Sequence, residues 1–357
     1  MTYVRNAWYV AAWAHEIVPD CPLGVRILNE PIVLWRNASG GLVALEDRCV
    51  HRLAPLSLGR CEGEKLRCMY HGLLYDRTGR VVEIPGQDRV SASLRARVYP
   101  TVERHGWVWV WMGNAAADDS FIPPILGLDH PDYIFGHGQL DYDAEARFVS
   151  DNLLDLSHIS YLHTESFRYG ETWARERPKV TEHERSIRSE RWFKSEGALG
   201  AAVAAESQVD TYFTYGVFVP GVLLMLARAY PVGTADALHG EPPNCTHGLG
   251  TDLGFTSQAI TPLTDKTARY FYIFGNPRQP GDAAAREVDM SVTDKAFAED
   301  KTMIEGQQRI IDATPHWRFI STTGDQGAVL FHRMVEKLAR EESDQSSQAM
   351  PQNSAHR

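Results

Sequence analysis

The sequence predicts an α+β fold, with a mostly antiparallel β domain followed by a second domain of mixed helix and strand. Three observations predict it. Short alternating apolar runs broken by turn residues fill about the first 112 residues, a small polar stretch with a proline pair follows, and two helical patterns then flank β-like runs.

The first domain starts with a hairpin. Pro31-Ile32-Val33-Leu34-Trp35 and Leu42-Val43-Ala44-Leu45 are separated by a turn at Asn37-Ala38-Ser39-Gly40-Gly41. Further strands are expected at residues 73–76, at 81–84 across the Arg77-Thr78-Gly79-Arg80 turn, and at Gly106-Trp107-Val108-Trp109-Val110-Trp111. Residues 113–119 with Pro123-Pro124 read as the linker. Beyond it a helical segment covers about 147–163, β-like runs recur between 212 and 274, and a second helix runs from about 292 to 313. Residues 341–357 are polar and aperiodic and are expected to stay disordered. The expected domains are therefore 1–117 and 118–340, with a tail at 341–357.

Composition narrows the function classes. A chain of 357 residues with 43% hydrophobic and 23% charged content buries a sizeable core and suits two domains. The longest apolar run, 217–229, is cut by Pro220, Gly221 and Arg228, which excludes a membrane-spanning helix, and the start lacks the pattern of a secretory signal, so a cytoplasmic location is expected. A formal charge of -10 without a Lys/Arg cluster argues against nucleic acid as a partner. In a reducing compartment the five cysteines point to metal or redox work rather than cross-links.

Cys49-x-His51 is followed after sixteen residues by Cys68-x-x-His71, each pair in a loop between strands. Two thiolates suit one iron and two imidazoles the other iron of a [2Fe-2S] cluster, and imidazole ligation raises the potential to roughly -150 to +300 mV. Two Cys and two His also make a tetrahedral zinc shell, although this spacing differs from the common finger. The loops Cys49-Val50-His51-Arg52 and Cys68-Met69-Tyr70-His71-Gly72 resemble those of the Rieske proteins, in which Val50 and Met69 are frequently prolines. Their replacement adds two backbone N–H donors. Tyr70 is a candidate donor to a ligand sulfur, and Gly72 allows close backbone approach. Cys21, Cys61 and Cys245 have no partner spacing and read as structural or surface thiols.

A second constellation lies on the helix after the linker, where Asn152, Asp155 and His158 fall at i, i+3 spacing on one side. His158 and His163 are five apart, about 140° around an ideal helix, so a shared metal requires a distortion or a helix end between them. On the later helix, Phe297, Asp300, Ile304, Gln307 and Ile311 share a stripe in which Asp300 is the charged exception. Burying a carboxylate needs a cation, which makes Asp300 a better ligand candidate than Glu299 or Glu305, expected to point elsewhere.

Together these sites resemble the oxygenase component of the Rieske non-haem iron oxygenases. The likeness is to the vanillate O-demethylase and toluenesulfonate methyl-monooxygenase group, and rests also on Arg5-Asn6-Ala7-Trp8-Tyr9-Val10-Ala11, Ile84-Pro85-Gly86-Gln87 and residues 299–305. The resemblance implies an N-terminal Rieske domain, a helix-grip (START-like) catalytic domain, a [2Fe-2S] cluster on Cys49, His51, Cys68 and His71, and a mononuclear non-haem Fe(II) on His158, His163 and Asp300. It makes Asp155, with Asn152 supporting, the bridge to His71 of the partner subunit in a head-to-tail homotrimer. It also implies electrons from NAD(P)H through a separate FMN/iron-sulfur reductase, and O-demethylation of a small methoxylated aromatic acid by O2 with release of formaldehyde. Hydroxylation of a ring or methyl side chain is the alternative, and an electron carrier without catalytic iron a remoter one. The substrate pocket is unassigned; Trp192, Tyr215 and Phe218 read as core or lining alike.

Overall fold

The computed structural model describes residues 3–167, 171–197, 208–244, 248, 250–278 and 282–349. The chain forms two compact units. One comprises Asn6–Ile122 with Thr261–Ala268, the other Pro123–Ile260 and Arg269–Arg357 with the first five residues.

The first unit is built from three small antiparallel sheets. The chain order is β1 (Trp8–Trp13), β2 (Leu23–Ile27), β3 (Glu30–Arg36), β4 (Leu42–Glu46), β5 (Arg60–Glu62), β6 (Lys65–Arg67), β7 (Leu74–Tyr75), β8 (Val81–Glu83), β9 (Thr101–Arg104) and β10 (Trp107–Trp111). The sheets have orders β1-β10-β9, β2-β3-β4 and β5-β6-β7-β8. Every residue of β1 and β10 is buried. Trp8 pairs with Trp111 and Trp13 with Trp107 in register, their rings 5.5 and 5.9 Å apart, so the alternating tryptophans form the sheet's core. The β2–β3 connection has two residues, Leu28 and Asn29, at φ 51° and 67°, as a primed hairpin turn requires. Their N–H groups donate to the carbonyls of Pro262 and Leu263, both at 2.9 Å. That bonding ties Thr261–Ala268 to the first unit, a membership no boundary drawn along the sequence contains.

The second unit carries a seven-stranded sheet of order β11-β17-β16-β15-β14-β13-β12. Its strands are β11 (Tyr133–Tyr142), β12 (Lys179–Glu182), β13 (Ser186–Gly197), β14 (Gln208–Phe218), β15 (Val222–Tyr230), β16 (Thr251–Pro262) and β17 (Ala268–Pro277). The helices are α1 (Ala146–Leu154), α2 (Ile159–Leu162), α3 (Thr172–Arg175), α4 (Thr234–Ala237), α5 (Asp282–Ala313) and α6 (Gln326–Ala349). Phe297 of α5 packs its ring 5.2 and 4.8 Å from Tyr270 and Tyr272 of β17, which seats the long helix on the sheet. The buried stripe of α5 is Thr293, Phe297, Asp300, Ile304 and Gln308; Gln307, expected on it, is exposed. Gln308 wins the place because its amide accepts the Glu145 N–H and donates to Asp312.

Two further expectations are corrected. The helix expected over 147–163 breaks after Leu154, where Asp155 takes φ -118° and ψ 93°. Residues 341–349, expected to be disordered, continue α6. The first half of that helix is anchored by Phe331 and Met334, Glu342 accepts the Arg5 N–H, and glutamate, glutamine and alanine propagate an existing helix readily. Among the described residues no helix is long and apolar enough to cross a membrane.

Candidate functional site

The two cysteine–histidine loops are built alike. Cys49 N–H donates to the Ala54 carbonyl and Leu53 N–H returns to the Cys49 carbonyl; Cys68, Leu73 and Gly72 repeat the pattern. The residue four after each cysteine sits at positive φ, Leu53 at 57° and Gly72 at 77°, so each loop turns back on its own cysteine. A Cβ on Gly72 would lie 2.7 Å from Pro85 Cγ, which accounts for glycine there. Arg67 braces the second loop by donating to the Gly72 carbonyl (2.8 Å) while bonding Glu62 and Glu83. Those bonds from Arg67, then Arg60, hold the Glu62 carboxyl down at about 2.

Cys49 and Cys68 are buried, and His51 and His71 are exposed with ring centroids 4.6 Å apart. Two inner sulfurs and two outer imidazoles fit a cluster of two irons. The sulfur's donor is Tyr75 rather than Tyr70. Tyr75 Oη donates to Cys49 Sγ at 3.2 Å and accepts the Val50 N–H at 2.9 Å, whereas Tyr70 is exposed with its ring 4.0 Å from that of His71. Burial, then the bond to Cys49, push the Tyr75 phenol well above its usual range and keep it a donor. Tyr75→Phe is expected to lower the cluster midpoint potential by roughly 20–65 mV, taking the bond as about 0.5–1.5 kcal/mol; voltammetry of the reconstituted protein measures it, and an unchanged potential removes Tyr75 from the tuning.

In the second unit the break at Asp155 makes the site. The Asp155 side chain accepts the Ser157 N–H (3.0 Å) and starts a 3-10 turn, Leu156–His158, before α2 carries the chain to His163. The i, i+3 side predicted for a continuous helix therefore does not exist, and the change of pitch brings His158 and His163 together, ring centroids 5.2 Å apart. Their Nε2 atoms lie 3.5 and 3.3 Å from Asp300 Oδ1, and the three ligand atoms are within 4.8 Å of one another.

The other ring nitrogens fix the chemistry. His158 Nδ1 bonds the Asp155 main-chain carbonyl (2.7 Å), and His163 Nδ1 bonds Glu299 Oε2 (2.9 Å). Both partners only accept, so each Nδ1 carries the proton and each Nε2 turns a lone pair toward Asp300. Burial pushes the His158 imidazolium down. For His163 burial acts the same way, but the carboxylates of Asp300 and Glu299 favour the charged ring strongly enough to outweigh it and raise the group. Two lone pairs converging on a buried carboxylate repel one another without a cation, and a facial pair of histidines with one carboxylate suits non-haem iron. Asn152 Nδ2 donates to Asp300 Oδ1 (2.9 Å) and holds the carboxylate.

Sequence reasoning missed Glu299. It was expected to point away, yet the rotation between neighbouring helix positions sets it behind His163, where Ser166 Oγ also bonds it (2.7 Å). Glu299→Ala is expected to weaken metal binding at this site roughly 10–100-fold, read by chelator competition; unchanged affinity makes Glu299 a surface carboxylate only. Gly324 was also missed: a Cβ there would lie 2.5 Å from Asp155 Oδ2.

His158, His163 and Asp300 line a cavity of about 310 Å³, within the range of small-molecule sites. Trp173, Phe213, Phe255, Phe274 and Phe297 supply its aromatic walls. Trp192, Tyr215 and Phe218 do not line it. Trp192 packs with Tyr212 and Tyr230, Tyr215 bonds Arg191 and the Leu154 carbonyl, and the Phe218 ring lies against Gly216. Cys21 is exposed, Cys61 half-buried, and Cys245 lies outside the described residues.

Residues 7–100 match the Rieske [2Fe-2S] domain family, and residues 142–341 match the Vanillate O-demethylase oxygenase C-terminal domain family. This chain belongs to the vanillate O-demethylase oxygenase family. It is 32% identical to the toluene-4-sulfonate monooxygenase system iron-sulfur subunit of Comamonas testosteroni, covering 96% of this chain and 98% of that one. It is also 32% identical to the vanillate O-demethylase oxygenase subunit of a Pseudomonas species, covering 99% of both. Dicamba monooxygenase, solved with non-heme iron and dicamba, superposes with a TM-score of 0.75 at 27% identity over 97% of this chain and 100% of that one. A vanillate O-demethylase family member with a Rieske domain is an oxidoreductase that incorporates oxygen from O2.

Proposed function

We propose that this oxygenase O-demethylates a small methoxylated aromatic compound, with a [2Fe-2S] cluster on Cys49, His51, Cys68 and His71 and a mononuclear iron on His158, His163 and Asp300. The observation that carries the reading is the triad of two histidines and a carboxylate lining a largely apolar cavity. When bound, the cluster relays single electrons and the iron activates O2. The rest is the work of the chain's own residues. The Asp155 carbonyl and Glu299 keep the ligand tautomers of His158 and His163, Asn152 orients Asp300, and the aromatic walls hold a ring and exclude water. One oxygen atom enters a methyl C–H bond and the other leaves as water, with two electrons and two protons consumed. The resulting hemiacetal collapses to a phenol and formaldehyde.

Electrons reach the chain from NADH or NADPH through a separate FMN/iron-sulfur reductase. The working assembly is a head-to-tail homotrimer in the cytoplasm, in which Asp155 faces His71 of the partner subunit. Exposed Leu53, Met69 and Tyr70 near the loop histidines, and exposed Trp317, Phe319 and Ile320 shortly before Gly324 in the chain, support such an assembly by offering apolar surface on each unit. The toluene-4-sulfonate relative favours a second reading, hydroxylation of a methyl side chain. Incubation with reductase, NADH and a panel of methoxylated aromatics tests both: equimolar formaldehyde and phenol are expected, and a product one oxygen heavier without formaldehyde supports the second reading. No oxygen uptake with any aromatic overturns both.

A further inference from the structure

We infer that His332 of α6 is a positioning residue for the Asp155 carboxylate, acting through Asp151, and that Gly324 completes the seat in which that carboxylate stands. The inference rests on the reading of Asp155 as the link between the two metal sites, and deepens it by naming what holds the link in place.

Helix α1 meets its neighbours on two faces. Asn152 reaches Asp300, whereas Asp151, Leu154 and Asp155, at i, i+3 and i+4, meet α6 and the 3-10 turn Thr323–Asp325 before it. The contacts run in antiparallel order: Gly324 lies against Asp155, Gly327 against Leu154, and His332 Nε2 bonds Asp151 Oδ1. A carboxylate only accepts, so Nε2 carries the proton.

Space, not backbone conformation, calls for glycine at position 324. Its φ is not positive, and a Cβ there would stand 2.5 Å from Asp155 Oδ2 and 3.1 Å from Cγ. The Gly324 N–H donates to Thr322 Oγ1 (3.3 Å), so the turn uses its own donor and leaves the carboxylate alone. Asp155 Oδ1 accepts the Ser157 N–H, while Oδ2 accepts no hydrogen bond among the described residues. The oxygen left for a donor outside this chain is therefore the one that Gly324 faces.

α1 ends at Asp155, so a roll of its last turn swings that carboxylate. The bond from His332 restrains the roll one turn back, at Asp151, from a helix anchored by buried Ala328, Phe331 and Met334. Both partners of the bond are partly exposed, which makes it a restraint on position rather than a source of stability.

Flash photoreduction of the full-length, metal-loaded protein, with its mononuclear iron in the ferric state, tests the inference without substrate. The decay of the reduced-cluster spectrum reads the passage of the electron to the second site. His332→Ala and Gly324→Ala are expected to slow that decay roughly 10–100-fold, with about three irons per chain and an unchanged cluster midpoint potential. His332→Gln can still donate to Asp151 and should stay within about threefold of wild type. Slowing in His332→Gln equal to that in His332→Ala overturns the inference, because the bond is then not what matters. Loss of the third iron in His332→Ala overturns it too, since His332 would then support the metal rather than Asp155. If Asp155→Asn is slow and His332→Ala is not, the inference fails and the link stands. If Asp155→Asn passes the electron at the wild-type rate, both fail.

Discussion

Asp300→Asn is expected to leave about two irons per chain in place of about three, with the visible spectrum of the cluster unchanged and oxygen-dependent turnover abolished. The residue is 3% exposed and its side chain keeps its shape on substitution, so the fold should survive. What changes is charge. The neutral amide no longer draws a cation between two imidazole lone pairs 3.5 and 3.3 Å away, and the Asn152 amide that now bonds the carboxylate faces another amide. The loss should exceed the roughly 10–100-fold that removal of an outer hydrogen-bond partner costs. An Asp300→Asn protein that keeps a third iron and turns over would remove Asp300 from the ligand set.

The second large effect falls on Asp155. Its main-chain carbonyl holds His158 and its side chain holds the Ser157 N–H, and an asparagine at this position retains both acceptors. Asp155→Asn should therefore keep its iron and its local fold while losing the negative charge proposed to link the two metal sites. Steady-state oxygen uptake is expected to fall about 100-fold or more, with reduction of the cluster by the reductase at its normal rate. Gly324→Ala should act in the same direction by pressing on Asp155 Oδ2. Uptake within twofold of wild type in both proteins would leave Asp155 a structural residue of the helix break.

The two cysteine–histidine loops were legible because their pattern is local: Cys49 to His51 and Cys68 to His71 need only short turns, and the structure builds both from one hydrogen-bond pattern. The three members of the proposed mononuclear site could be named one by one, but their geometry could not. A five-residue spacing announced that an ideal helix could not serve, yet the break at Asp155 is decided by its own capping of Ser157, which no apolar period records. Tyr75 was missed because a tyrosine in a two-residue strand carries no motif, and Tyr70, inside the motif, drew the assignment instead. The pocket was illegible for another reason. Its walls come from several strands and from the helices α1, α2, α3 and α5, and on each strand alternation offers two sides, of which Trp192 and Phe213 take opposite ones.

The most direct measurement of the central claim is iron and acid-labile sulfide per chain in the purified protein, together with its spectrum. About three irons and two sulfides are expected, one cluster and one mononuclear iron. Two irons with two sulfides, with no further iron taken up on anaerobic addition of ferrous ion, would leave His158, His163 and Asp300 without their metal and contradict the account.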